Sequence, residues 1–254
     1  MDSIYDNAAH IRSQVSAGRH REVVGDLWDE LGNLQLAFLR KHGLRPGHRL
    51  LDIGCGSLRG GVKLIPYLEP GNYWGMDHNA ALLDAGWELE LGPLGLQDRL
   101  PRHQLAALSD FEFDQLGATF DVAIAQSVFT HFSLNRIRRC LAKLAAVMEP
   151  GGHFFATFFE APPDHHPEDA LHHEPGNVIT HSDRDPYHYA LEDLRFVVQH
   201  LPWQMVYIGE WQHPRDQRMV LFIRTESWNH PIEVKKVRRP FSLRKLLDVR
   251  SWFE

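Results

Sequence analysis

The chain has 254 residues, 43% hydrophobic and 24% charged, which fits one large α/β domain with an ordinary core. With 27 Lys plus Arg against 33 Asp plus Glu the formal net charge is -6, so nothing draws the whole chain to a phosphate backbone and nucleic acid is not an expected substrate. Cys55 and Cys140 are too few for a disulfide framework, the opening MDSIYDNAAHIRSQ lacks the basic end and apolar run of a signal peptide, and no apolar stretch reaches the ~18 residues of a membrane span, so a cytoplasmic, membrane-free protein is expected.

In chain order, Leu27, Leu31, Leu34 and Phe38 recur at helical spacing and predict an amphipathic helix from about Arg21 to His42, stopped by Gly43. Residues 1–43 therefore read as an N-terminal helical cap, whose apolar stripe suits a pocket cover and a sheet-edge shield equally well. The turn LRPG leads into RLLDIG, a buried strand ending at an Asp and a glycine-rich turn. A helix through Val62 to Tyr67 and a second strand, NYWGMD with Asp77 at its carboxyl end, complete a βαβ unit.

A helical stretch near Ala80 to Leu91 precedes a short strand around Gln104 to Leu108. The continuous apolar run FDVAIAQSV is a fourth strand of the kind a sheet covered on both faces requires. Leu134 to Met148 has helical spacing up to EPGG, and HFFATFF follows as a fifth strand. From Pro162 to Tyr189 the composition turns to His, Asp, Pro and Glu, which predicts a lid inserted in the domain. Leu191 to Gln199 reads as a helix, and WQMVYIGEW and RMVLFIRT, joined through HPRD, read as an antiparallel pair. Residues 227–254 form a basic C-terminal extension with Lys235, Lys236, Arg238, Arg239, Arg244 and Lys245, most simply a solvated face.

The run LLDIGCGSLRGG, Leu50 to Gly61, resembles the first motif of class I S-adenosylmethionine-dependent methyltransferases, the more so with Asp77 one βαβ unit downstream. The resemblance covers roughly Leu44 to Thr225, and it departs from the common pattern at Leu58 and Arg59, where smaller residues usually follow the second glycine. It implies a Rossmann-like α/β fold, with a mostly parallel seven-stranded sheet, helices on both faces and a terminal antiparallel hairpin, in a domain spanning 44–226. It also implies S-adenosyl-L-methionine as cofactor. Asp52 would help place the ligand's ammonium group, Gly54 and Gly56 would allow the main chain to approach it, and Asp77 would accept from the ribose diol.

By the same resemblance Asp110 and Phe111, in ALSDFEF, would hold the adenine edge, and Gln126 to His131, in QSVFTH, would border cofactor and acceptor alike. His131 is one candidate general base, with a merely packed histidine as the competing view, and His188, between Tyr187 and Tyr189, is a second. The lid histidines His165, His166, His172, His173 and His181 show no recognised metal spacing, and no metal is expected. The fourth strand is not followed by the Asn-Pro-Pro-Tyr type of motif used for amide and base nitrogens, so the resemblance favours O-methylation of a small hydroxylated metabolite or sugar. The expected partner is thus a small-molecule acceptor, with a homodimer left open. A nicotinamide-dependent oxidoreductase and a non-catalytic module acting through a protein partner are the rival readings. Asp52 and the terminal hairpin speak against the first.

Overall fold

The computed structural model describes residues 7–174 and 176–226. The basic extension expected at 227–254 lies outside the described residues. Seven helices are defined among them: α1 Ala8–Ser16, α2 His20–Val23, α3 Trp28–Lys41, α4 Gly61–Tyr67, α5 Ala80–Ala85, α6 Leu134–Leu144 and α7 Leu191–Val197. The strands are β1 Leu50–Ile53, β2 Tyr73–Asp77, β3 Leu105–Ala107, β4 Phe120–Ala125, β5 Met148–Glu160, β6 Leu171–His173, β7 Val178–Thr180, β8 His188–Tyr189, β9 Trp203–Gly209 and β10 Arg218–Arg224.

The main sheet runs β3-β2-β1-β4-β5-β10-β9, parallel from β3 to β5, with β10 antiparallel to both of its neighbours. This is the expected mostly parallel sheet closed by an antiparallel hairpin. One strand more than expected joins it, because the short β8 pairs with the far end of β5, His188 opposite Phe159. Strands buried on both faces need no polar alternation, and β1, β2 and most of β4 are buried throughout. One apolar layer joins the sheet to α6 and α7 through Ile137, Leu141, Leu144, Leu194 and Val197. The other joins it to α3, α4 and α5 through Phe38, Leu39, Leu64, Ile65 and Leu83.

Three boundaries differ from expectation. The helix predicted over Arg21–His42 is broken between α2 and α3, where Gly25, Asp26 and Leu27 turn left-handed at φ 85, 49 and 49°. Carbonyls that a continuous helix would use internally are taken by distant side chains. Arg59 Nη1 donates to Val24 O at 2.7 Å and Asp26 O at 3.0 Å, and Arg215 Nη2 donates to Gly25 O at 2.7 Å. The helix expected to reach Met148 stops at Leu144, because Met148 already pairs with Phe120. In β5 the residues Glu149 to Gly152 then loop out before His153 meets Val122, with Gly151 at φ 79°. The helical stretch Ala80–Leu91 widens into a π-helical turn from Gly86, where buried Glu90 accepts from Arg21 through both carboxylate oxygens at 2.7 Å and lies 2.7 Å from His20 Nε2. That pair of contacts pins the N-terminal cap to the domain.

No helix among the described residues is long and apolar enough to cross a membrane. The sheet's aromatic centre is Phe154, fully buried, with ring centroids 5.6 Å from Phe222, 5.9 Å from Phe129 and 6.3 Å from Trp203. Phe154→Ala removes a ring from a site closed on all sides and is expected to cost about 3–5 kcal/mol, seen in urea titration as a lower midpoint at unchanged m-value.

Candidate active site

A cavity of about 320 Å³ opens at the carboxyl ends of β1, β2 and β4, where a parallel sheet of this order places its ligands. Its floor is the turn after β1. Gly54 and Gly56 adopt φ 69 and 53°. A Cβ on Gly54 would lie 2.6 Å from Val128 Cγ2, and one on Gly56 2.6 Å from Val24 Cγ1, so both positions exclude side chains by conformation and by space. Gly54 N and Cys55 N donate to Met76 O at 2.7 and 3.0 Å, and Gly56 N donates to Asp77 Oδ2 at 3.0 Å. The Asp77 carboxylate also accepts from Asn79 N at 2.9 Å, and it retains lone pairs toward the cavity that it lines.

Asp52 is buried at the end of β1 and accepts from Tyr73 Oη at 2.7 Å. Burial pushes its carboxyl up to about 7, against the pull of the Tyr73 hydroxyl and the Arg59 charge. Burial also raises Asp77. Gln35 of α3 faces the same space, and its Oε1 is buried without a hydrogen-bond partner. A side chain on Gly60 would run into that oxygen and would come within 3.5 Å of Asp52 Oδ2, so the two acceptors flank one small volume. An orphaned amide oxygen beside a carboxylate is a site for a cationic N–H donor. Gln35 Nε2 donates to Gln126 Oε1, and Gln126 Nε2 lies 3.4 Å from His213 Nε2. Burial and the charges of Arg59 and Arg215 push His213 down to about 3, so its ring is neutral.

The remaining wall follows β4. His131 ends a 3₁₀ turn, Phe129–His131, and its Nδ1 pairs with a carboxylate oxygen of Asp185, both residues lining the cavity. Phe111, buried at φ 56°, and Phe132 extend this wall, and the Arg136 guanidinium sits 4.7 Å from the Phe132 ring centroid. The cavity thus gathers Asp52, Gly54, Asp77, Phe111, Gln126 and His131. Gly56 supports the floor from behind.

Two expected site residues stand elsewhere. Asp110 is exposed and takes a two-point ion pair from Arg139, Nε to Oδ1 at 2.9 Å and Nη2 to Oδ2, so its neighbours Ser109 and Phe111 face the cavity instead. His188 does not line the cavity. It is buried in β8, 2.9 Å from Thr180 Oγ1, which lies 2.9 Å from His173 Nε2, so it belongs to the packing of segment 162–189. Period-2 alternation aims His188 to the side opposite Tyr187, which does line the cavity. Missed in the sequence were Gln35, Asp185, Tyr187 and His213. Only the aromatic cluster around Tyr187 carried a signal, and it was credited to its neighbour.

Comparison with known proteins bears on this geometry. Residues 51–154 match the family model described as "Methyltransferase domain". The chain is 32% identical over 117 residues to a phthiotriol/phenolphthiotriol dimycocerosates methyltransferase of Mycobacterium leprae, a match that covers 42% of this chain and 36% of that protein, so it spans about a third of the relative's length. The magnesium protoporphyrin IX methyltransferase of Synechocystis, solved with bound S-adenosylmethionine, superposes with a TM-score of 0.57 at 16% identity, over 89% of this chain and 100% of that one. An amino pentose methyltransferase of Micromonospora echinaspora gives 0.56 at 17% identity, over 84% and 97%.

Residues 51–154 thus match a methyltransferase domain, on a mostly parallel α/β fold shared with these two solved methyltransferases. S-adenosylmethionine, bound in the Synechocystis structure, carries an ammonium group at its amino-acid end, and Gln35 Oε1 and Asp52 are acceptors in this cavity that such a group would suit.

Two pH effects follow. Since Asp52 is raised from 3.8 to about 7, it holds a proton in the ligand-free protein below pH 7, whereas an ammonium ligand favours the carboxylate. S-adenosylhomocysteine should therefore bind more tightly at pH 8 than at pH 6 and release protons near pH 7, read by calorimetry in buffers of different ionisation enthalpy. Asp52→Asn should bind more weakly and lose the pH dependence. In the other direction, burial lowers both His173 and His188. Neutral rings in the fold against an unfolded value of 6.5 give stability that is present above pH 6.5 and is lost as pH falls. Melting temperature is expected to drop between pH 7.5 and 5.5, and less steeply in His188→Gln.

Proposed function

We propose that this protein transfers the methyl group of S-adenosylmethionine to a hydroxyl oxygen of a small metabolite or sugar, with His131 as general base. The observation that carries the reading is one cavity shared by Asp52, Gly54, Asp77 and His131. The bound cofactor supplies an electrophilic methyl group on sulfur. Asp52 and Gln35 would hold its ammonium end, and Asp77 would accept from its ribose hydroxyls. Gly54 and Gly56 keep the floor free of side chains.

The acceptor enters beside Tyr187 and Phe132 with its hydroxyl toward His131. On transfer of its methyl group the cofactor would keep the carbon–sulfur electron pair as a neutral thioether. The hydroxyl proton passes to the imidazole. Holding the nucleophile in line and removing its proton are the two contributions asked of the protein. Phe111, at the cavity wall, offers an apolar face to the adenine ring, a role that Asp110 does not share.

The deciding measurement is calorimetric titration with S-adenosylhomocysteine and with NADH, followed by a screen of hydroxylated acceptors with S-adenosylmethionine. Binding of the adenosyl ligand alone, with turnover reduced about 10²-fold or more in His131→Gln at unchanged cofactor affinity, is expected. Binding of NADH alone would replace the reading with an oxidoreductase, and binding of neither with a partner-binding module.

A further inference from the structure

The backbone of His131 is placed by the exit from β4, with its N–H donating to Val128 O at 3.0 Å and the preceding Thr130 hydroxyl donating to Ser127 O at 3.0 Å. Its ring is oriented by something 54 residues away in the chain, the carboxylate of Asp185. Asp185 sits in the turn of segment 162–189 that runs from β7 to β8. That turn is fastened to itself by His181 N to Pro186 O at 2.9 Å and by His188 N to His181 O at 3.0 Å. It is fastened to the wall of the cavity by Tyr187 N to Thr130 O at 2.7 Å and by the Tyr189 hydroxyl to Phe132 O. The anchors on the wall are the residues immediately before and after His131. Asp185 and His131 are mostly shielded, with side chains 15% and 25% exposed, yet both border the cavity.

From this geometry we infer that Asp185 is the positioning residue of the reaction, and that seating of the 181–189 turn is what completes the base. The inference rests on His131 being that base. A carboxylate at Nδ1 selects the tautomer with the proton on Nδ1 and leaves the lone pair on Nε2, the nitrogen that then takes the hydroxyl proton of the acceptor. The same carboxylate stabilises the imidazolium formed when that proton arrives. Because Tyr187 lines the cavity in the same turn, the element that shapes the acceptor's space is also the element that sets the base.

The test uses the full chain labelled with nitrogen-15 in histidine, saturated with S-adenosylhomocysteine at pH 8, with long-range proton–nitrogen correlation to read the ring tautomer. His131→Gln identifies the resonance by its loss. The Nδ1-protonated form is expected in the wild type and in Asp185→Asn, which keeps an acceptor oxygen. In Asp185→Ala the population is expected to move to the Nε2-protonated form at unchanged S-adenosylhomocysteine affinity. With an acceptor from the screen, turnover of Asp185→Ala should fall about 10²-fold at constant KM for S-adenosylmethionine, with Asp185→Asn between the two. An unchanged tautomer in Asp185→Ala overturns the inference while leaving the function intact. Turnover indifferent to His131→Gln overturns the functional reading itself, whatever the tautomer.

Discussion

The carboxyl ends of β1 and β2 are fastened by a small set of hydrogen bonds on which the cavity depends. Met76 O accepts from Gly54 N and Cys55 N, and the Asp77 carboxylate accepts from Gly56 N and Asn79 N. Buried amides without such partners would each cost on the order of 1–3 kcal/mol, so the turn can be tight only because β2 ends where it does. The left-handed glycines, the start of α4 and the opening between β1 and β4 all follow from that join. The ligand floor is thus a product of sheet register, Ile53 opposite Met76, as much as of the glycines themselves.

Around that floor, burial sets the chemistry. Asp52 and Asp77 are both pushed toward their protonated forms, and His213 behind Gln126 toward its neutral form, so the site carries less charge than its residues suggest. A cationic ligand reverses this for Asp52, because its charge favours the carboxylate. Gln35, with an unsatisfied oxygen, adds a neutral acceptor at the same place. The site is prepared for a donor by cost already incurred in folding.

Two segments outside the sheet finish the walls. The N-terminal cap contributes Val24 and Gln35, and it is held by Arg59, Arg215 and the contacts of His20 and Arg21 with Glu90. Its apolar stripe packs on the sheet through Phe38 and Leu34, while Val24 and Gln35, outside the stripe, reach the cavity. Segment 162–189 contributes Asp185 and Tyr187, and its histidines mostly serve its own packing, as the Thr180 bridge between His173 and His188 shows. Arg59, which departs from the usual small residue after the second glycine, is accounted for by its hold on the Val24 and Asp26 carbonyls.

The parallel strands, the hairpin and the glycine turn of the cavity floor were legible because each rests on local pattern. Apolar runs mark β1, β2 and β4, glycines mark the turn, and a carboxylate at a strand end marks Asp77. What failed was decided by partners far away in sequence. The α2–α3 break depends on two arginines 33 or more residues downstream, the turning away of Asp110 on Arg139, and the choice between His131 and His188 on which side of a two-residue strand faces the cavity. Local spacing placed the glycine turn and the strand-end carboxylate that meet at the cavity. Only the tertiary structure, by bringing residues 35, 131, 185 and 187 to one cavity through long-range packing, decided which side chains complete it.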